Sequence, residues 1–403
     1  MATKPLGYWF GVKADAEGSP LDRAVLSGLL CLGLFMLGRR KLGWSRAIRE
    51  HPWLMLLIGY MLASILWSDI PYISFKRWIR ELLAVVMAFL ILTERDPRQA
   101  VQSILRRTVY ILIPFSALLI QYFPNYGRQY HRWSGELMWI GVTLQKNGLG
   151  RLCIISAFFL IWTLVRRSQG RDIPGGKFHT HADVFILIIT LWLLKGPPGF
   201  YPATATVALA VGLAMLFSLL WMKRHKIYLG TNTLMAIVVF VIGFGVVTPF
   251  VGGVRVAGVS SSLGRDETLT GRTDIWAALV PNVERQPILG CGFGGFWTPK
   301  NRDLYDIGEA HNGYLEVLLE LGFGGILLFA MFLLSFCRGA QRELIYDFDW
   351  ASLCICYLLM SLFHNVAESS INSFTSHLTA VNLFLAVSST AATRYTPGVS
   401  REL

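Results

Sequence analysis

Long apolar stretches recur along the whole chain, broken by short polar segments. A helix needs about 20 apolar residues to cross a bilayer, or about 17 at the short end. On that measure the pattern predicts about eleven membrane helices, near 24–38, 52–68, 78–93, 108–123, 148–165, 182–194, 203–222, 232–251, 313–336, 350–366 and 375–392. The first and sixth are the shortest. One polar interruption stands apart: residues 252–312, between the eighth and ninth spans, form a loop with its own Gly-rich and aromatic stretches. The expectation is one polytopic, all-α membrane domain over residues 1–403, with that loop carrying short helices. No internal repeat and no separate soluble domain is evident.

Composition sharpens this picture. The chain is 54% hydrophobic and 15% charged, too apolar for an ordinary soluble protein. Its 37 basic residues against 25 acidic ones therefore point to membrane topology rather than nucleic acid. Basic residues gather in alternate loops: Arg39–Arg49, Arg95–Arg107, Arg166–Lys177, Lys223–Lys226, Arg338–Arg342 and Arg394–Arg401. These hold twice as many Lys and Arg as the opposite short loops. The positive-inside rule puts them in the cytoplasm and the 252–312 loop outside. The first 23 residues lack an apolar core, so no cleavable signal peptide is expected. Of six cysteines only Cys291 falls in the long loop, and no disulfide framework or metal-ligand spacing emerges.

Candidate chemistry collects on the outer side. Arg272 lies between Gly271 and Thr273-Asp274-Ile275-Trp276, where Thr273 would cap a short amphipathic helix on the membrane surface. Arg265, seven residues earlier, can reach the same anion. An arginine fork binds two oxygens and keeps its charge, which suits a diphosphate; an interfacial anchor at lipid headgroups is the alternative for both residues. His311 stands at the start of the ninth apolar helix. The positive end of the helix dipole and the nearby arginines favour its neutral imidazole, the form a general base requires. Asp306 or Glu309 would orient the ring, and His131, His364 and His377 compete for the role. Further outer cations are Lys76, Arg77, Arg80 and Lys146, and Arg151 enters the fifth helix itself, where a charge usually faces a polar cavity. Gly290-Cys291-Gly292-Phe293-Gly294-Gly295 lacks the Lys-Ser/Thr of a phosphate loop and reads as a turn packed against the bilayer. Asp15 and Glu17 have metal-site spacing but sit in a charge-balanced tail, so no metal site is expected.

These segments together resemble the O-antigen ligase and polymerase family of bacterial envelope enzymes, closest to its exopolysaccharide-production members. The resemblance rests on Ser64-Ile65-Leu66-Trp67-Ser68-Asp69-Ile70-Pro71 and Gly141-Val142-Thr143-Leu144-Gln145-Lys146-Asn147-Gly148. It continues through Gly271-Arg272-Thr273-Asp274-Ile275-Trp276, Pro287-Ile288-Leu289-Gly290-Cys291-Gly292 and Ala310-His311-Asn312-Gly313-Tyr314-Leu315, ending in Glu320-Leu321-Gly322. It implies an inverting, metal-independent glycosyltransferase of the bacterial inner membrane, with no cofactor and with the long loop in the periplasm. The donor would be a glycan on undecaprenyl diphosphate and the acceptor a glycan or lipid A core. Arg272 would then hold the diphosphate and His311 activate the acceptor hydroxyl, with Arg265, Arg77, Arg80 and Lys146 as weaker matches for the diphosphate. Two departures stand out. The residues before Gly18-Ser19-Pro20-Leu21-Asp22 do not match the family's opening membrane helix, so either the start is truncated or the eleven-helix form is real, and Lys195-Gly196-Pro197-Pro198-Gly199-Phe200 replaces a hydroxyl-rich turn. A flippase of lipid-linked saccharide is the reading from another class. Such carriers often show related halves and midplane polar residues, whereas the candidate residues here sit at one face.

Overall fold

The computed structural model of the chain describes residues 4–12, 18–40, 42–130, 135–171, 176–197, 202–251 and 267–389. Arg265, His131, Asp15, Glu17 and most of the turn after Lys195 lie outside the described residues. Helices dominate. Besides three short helices over Leu6–Trp9, Trp44–Glu50 and Pro124–Gly127, they are in chain order α1 (Pro20–Arg39), α2 (Pro52–Ala63, extended by a 3-10 turn over Ser64–Trp67), α3 (Pro71–Ile91), α4 (Pro97–Tyr122), α5 (Lys146–Ser168), α6 (Gly176–Lys195) and α7 (Ala203–Arg224). Then follow α8 (Thr231–Val247), α9 (Glu267–Arg285), α10 (Pro299–Tyr305), α11 (Gly313–Tyr346), α12 (Phe348–His364) and α13 (His377–Ser389). Each of the eleven apolar segments overlaps a helix among the described residues. By length and composition, α1, α4, α5, α7 and α11 are able to cross a membrane, and α2, α8, α12 and α13 are shorter apolar helices. A small antiparallel hairpin, β1 (Arg128–Tyr130) with β2 (Leu137–Trp139), is an addition to the all-α expectation.

Local sequence sets the helix starts. Pro20, Pro52, Pro71 and Pro97 occupy first-turn positions, where a missing N–H costs nothing. Ser19, Asp96, Asn312 and Asp347 cap their helices by accepting a backbone N–H three residues on. Packing then ranks the helices. α12 is central, buried almost without a break from Trp350 to Leu362, and α5 is buried from Gly148 to Leu160. α7, α8 and α11 pack around them. The outer helices expose large apolar side chains instead of polar ones: Leu32 and Phe35 on α1, Phe185 and Ile188 on α6, Phe240 on α8. Exposure of that kind over several helices suits hydrocarbon, where helical backbone satisfies its own hydrogen bonds.

The two ends of the bundle differ. At one end the basic residues are matched: Arg98 donates to Asp347 at 2.6 Å and Glu343 at 2.7 Å, and Arg166 to Asp349 at 2.9 Å. Arg106 and Arg167 both meet the buried Asp183. Several arginines of the basic loops therefore stitch helix ends together. The other end gathers the starts of α3, α5 and α11, the segment 286–312, and the loop joining α12 to α13.

α11 is broken at Gly322, whose φ of 62° and ψ of −164° interrupt the helix. The freed backbone groups find partners in the turn before it. Phe323 N–H donates to the Pro287 carbonyl at 2.8 Å, Gly324 N–H to Ile288 at 3.0 Å, and Cys291 N–H to Leu319 at 3.0 Å. The Tyr60 hydroxyl donates to the Leu321 carbonyl at 3.0 Å. A Cβ at Gly322 would fall 2.4 Å from the Ile288 backbone, and one at Gly290 would fall 2.5 Å from Glu320. Only glycine permits that approach at positive φ. The Pro287–Gly292 turn is thus seated on the helix break, which offers it hydrogen bonds that lipid cannot, while the Ile288 and Leu289 side chains stay exposed.

Candidate functional site

The segments at this second end build a polar centre. It starts from α9, which runs from Glu267, so Thr273 lies inside the helix rather than capping it. Trp276, Leu279 and Val283 recur at helical spacing and are buried against Trp297, Ala310, Leu315 and Leu318. The apolar face of α9 therefore packs on protein rather than on the membrane surface, since α11's first turns supply a matching apolar face. Trp276 Nε1 donates to the Ala310 carbonyl at 2.8 Å, tying Arg272's helix to the residue before His311.

The His311 turn is held on every side. Glu316, fully buried in α11, accepts from Ala310 N–H at 2.6 Å and from Trp297 Nε1 at 2.8 Å. Asn312, the cap of α11, accepts from Leu315 N–H at 2.9 Å and donates to the Gly245 carbonyl at 3.1 Å and that of Val366 at 3.0 Å. Gly313 N–H donates to the carbonyls of Asn365 and Glu368. Between these anchors His311 adopts a left-handed φ of 51°, a conformation kept only where surroundings fix it. It precedes the cap, two residues before the first helical residue.

Glu368, in the α12–α13 loop, is the carboxylate at the centre. It is 2% exposed, and its Oε1 accepts from Arg272 Nη2 at 2.5 Å and from Asn147 Nδ2 at 2.8 Å. Its Oε2 lies 4.0 Å from His311 Nδ1, and Glu309 Oε1 lies 3.4 Å from the same nitrogen. His311 is about a quarter exposed, open on one side and backed by carboxylates on the other. Charge, fork and imidazole thus meet around one buried oxygen pair. Such a centre can hold an anion through Arg272 and accept a proton at His311.

The predicted residues divide between this centre and its rim. The structure brings together Arg272, His311 and, through its neighbour Asn147, the start of α5 where half-buried Lys146 stands. Arg77 donates to the Gly294 carbonyl on the glycine turn. Arg80 is exposed on α3 and, among the described residues, does not contact the Glu368 group. Of the two carboxylates expected to orient the imidazole, Glu309 is the one beside it. His364 is buried at the end of α12 and His377 opens α13. Cys291 is held inert, its thiol pushed up to about 12 by burial and then by the carboxylates of Glu320 and Asp69.

Glu368 escaped the sequence reading. Its one signal is that it is the lone acidic residue between α12 and α13. With Glu309 and His311 it also forms a group whose ligand atoms lie within 4.8 Å of one another, close enough to hold a metal ion. Arg272, already against Glu368, puts a cation at that carboxylate.

Residues 200–330 match the family model described as O-antigen ligase, a span that holds Arg272, His311 and the break at Gly322. The chain is also 22% identical over 330 residues to "Exopolysaccharide production protein ExoQ" of Rhizobium meliloti (strain 1021). That match covers 78% of this chain and 71% of the relative.

Proposed function

We propose that this chain, whose residues 200–330 match the O-antigen ligase family model, transfers a glycan from undecaprenyl diphosphate to a sugar hydroxyl at the outer face of the inner membrane. One observation carries the reading: Arg272, Asn147 and His311 converge on the buried Glu368 at the open end of the bundle. The acceptor oxygen attacks the anomeric carbon of the donor's first sugar. The bond from that carbon to the diphosphate oxygen breaks, with inversion, and its electron pair leaves with the diphosphate. His311 takes the proton of the acceptor hydroxyl. The leaving group is a stable anion, so it needs charge stabilisation more than a proton. Arg272 supplies that charge through its fork, with Arg265, Arg77, Arg80 and Lys146 as weaker candidates for the same anion, and no metal is required. Before the donor arrives, Glu368 holds the arginine in place. The relative's name, an exopolysaccharide production protein, favours a growing lipid-linked chain as acceptor, and hence a polymerase.

Substitution at Arg272 tests the assignment. Arg272→Ala is expected to lose on the order of 10²–10³ in turnover, as when an oxyanion donor is removed. Arg272→Lys should be impaired too, because a point charge cannot reproduce two parallel contacts. Transfer is measured in membranes at equal protein abundance. Wild-type transfer by the lysine variant would overturn the fork assignment. A flippase would move donor lipid without forming a glycosidic bond, which the same assay reads directly.

A further inference from the structure

Arg151 has no place in the mechanism above, and its surroundings are unusual. It lies in the second turn of α5, is 8% exposed, and donates through Nη1 to the Ser369 carbonyl at 3.1 Å. Its Nε is buried without a hydrogen-bond partner. Among the described residues no carboxylate pairs with it. Two carboxylates tied to this loop network have partners of their own: Glu368 Oε1 accepts from Arg272 and Asn147, and Glu81 from Ser373 and Thr375. A buried cation without a counter-ion at the end of a membrane helix is costly unless an anion comes to it.

Arg151 lines a cavity of about 240 Å³ between the start of α5 and the 369–377 loop. Gln145, Asn372, Ser376 and His377 also line it. The Ser376 hydroxyl is buried and unpartnered. The volume matches about eight waters at ~30 Å³ each, roughly one sugar ring. Neither Arg272 nor His311 lines it, yet it touches their centre through the Glu368–Ser369 peptide. One buried cation among amides and hydroxyls is the chemistry that recognises a sugar carrying an oxyanion.

We propose that this cavity is a subsite for an oxyanion-bearing sugar, a ring carrying a carboxylate or a phosphate, within the glycan handled at the Arg272–His311 centre. Arg151 would bind the oxyanion, with Gln145, Asn372 and Ser376 meeting the ring hydroxyls. The proposal rests on the glycan-transfer reading, and it predicts that the enzyme selects acidic over neutral sugar units at this position.

Isothermal titration calorimetry on the purified full chain in detergent tests it, with glucuronate, glucose 6-phosphate, glucose and inorganic pyrophosphate as probes. At least one acidic sugar should bind tenfold or more tightly than glucose. Arg151→Gln should weaken that sugar at least tenfold and leave pyrophosphate within twofold, which also shows the variant to be folded. Arg151→Lys should retain part of the acidic-sugar affinity. Arg272→Ala should do the reverse of Arg151→Gln, losing pyrophosphate and keeping the acidic sugar. The proposal is overturned if neither acidic sugar exceeds glucose, or if Arg151→Gln leaves the preference intact. Loss of pyrophosphate binding in Arg151→Gln would also overturn it, by assigning Arg151 to the diphosphate. Failure of pyrophosphate to bind the wild-type protein at all would instead count against the diphosphate assignment of Arg272.

Discussion

Removing the Glu368 carboxylate should damage both stability and transfer, by amounts that can be worked from its contacts. Glu368→Ala deletes a 2.5 Å ion pair to Arg272 and a 2.8 Å hydrogen bond from Asn147, at a residue only 2% exposed. Breaking a buried pair by removing one partner costs about 3–5 kcal/mol. The Arg272 side chain keeps 16% exposure, so water recovers part of this and the net loss should be about 2–3 kcal/mol. Arg272 would also lose its fixed direction, and misplacement of about 1 Å near a reacting centre can cost on the order of 10²-fold in rate. Glu368→Gln keeps an acceptor for Asn147 and should fall between alanine and wild type on both counts. The assays are thermal melting of the detergent-purified protein and glycan transfer in membranes at matched abundance. If Glu368→Ala melts and transfers as wild type does, Glu368 does not position Arg272.

Two further outcomes follow from the same geometry. Gly322→Ala should cut folded protein in the membrane severely, because the new Cβ would sit 2.4 Å from the Ile288 backbone at a φ of 62°; normal abundance and melting by fluorescence-detected size exclusion would contradict the break. Transfer should withstand a strong chelator, because Arg272 supplies the cation at Glu368; loss in chelator with recovery on adding a divalent ion would assign the Glu309–His311–Glu368 group to a metal instead.

What the sequence discloses here follows the range of the interactions. Apolar runs located α1–α8 and α11–α13, because hydrocarbon-facing and buried positions both demand apolar residues and the signal is local; α9 and α10 carry no such run. Trp276 and Ala310 were quoted as parts of separate motifs, and they prove to be joined by one hydrogen bond. The break in α11 was not legible, although Glu320-Leu321-Gly322 was singled out. An uninterrupted apolar run hides the departure from helix, and the partners at Pro287 and Ile288 come from another segment. Thr273 misled for a related reason: a hydroxyl before an apolar run looks like a cap, but α9 continues N-terminally past it. Glu368 was missed because a single acidic residue in a short loop carries no local pattern. Its meaning appears only when α5, α9 and the His311 turn converge on it.

The most direct test of the whole account is His311→Ala in a purified transfer assay that reads donor binding and glycosidic bond formation separately. General-base assistance is worth about 10²–10⁴ in rate. The account predicts that transfer falls by that factor while the lipid-linked donor binds as it does to wild type, since binding belongs to Arg272 and its neighbours. Full transfer by the alanine variant would contradict it and move the base to another residue, with His131 next to be tested.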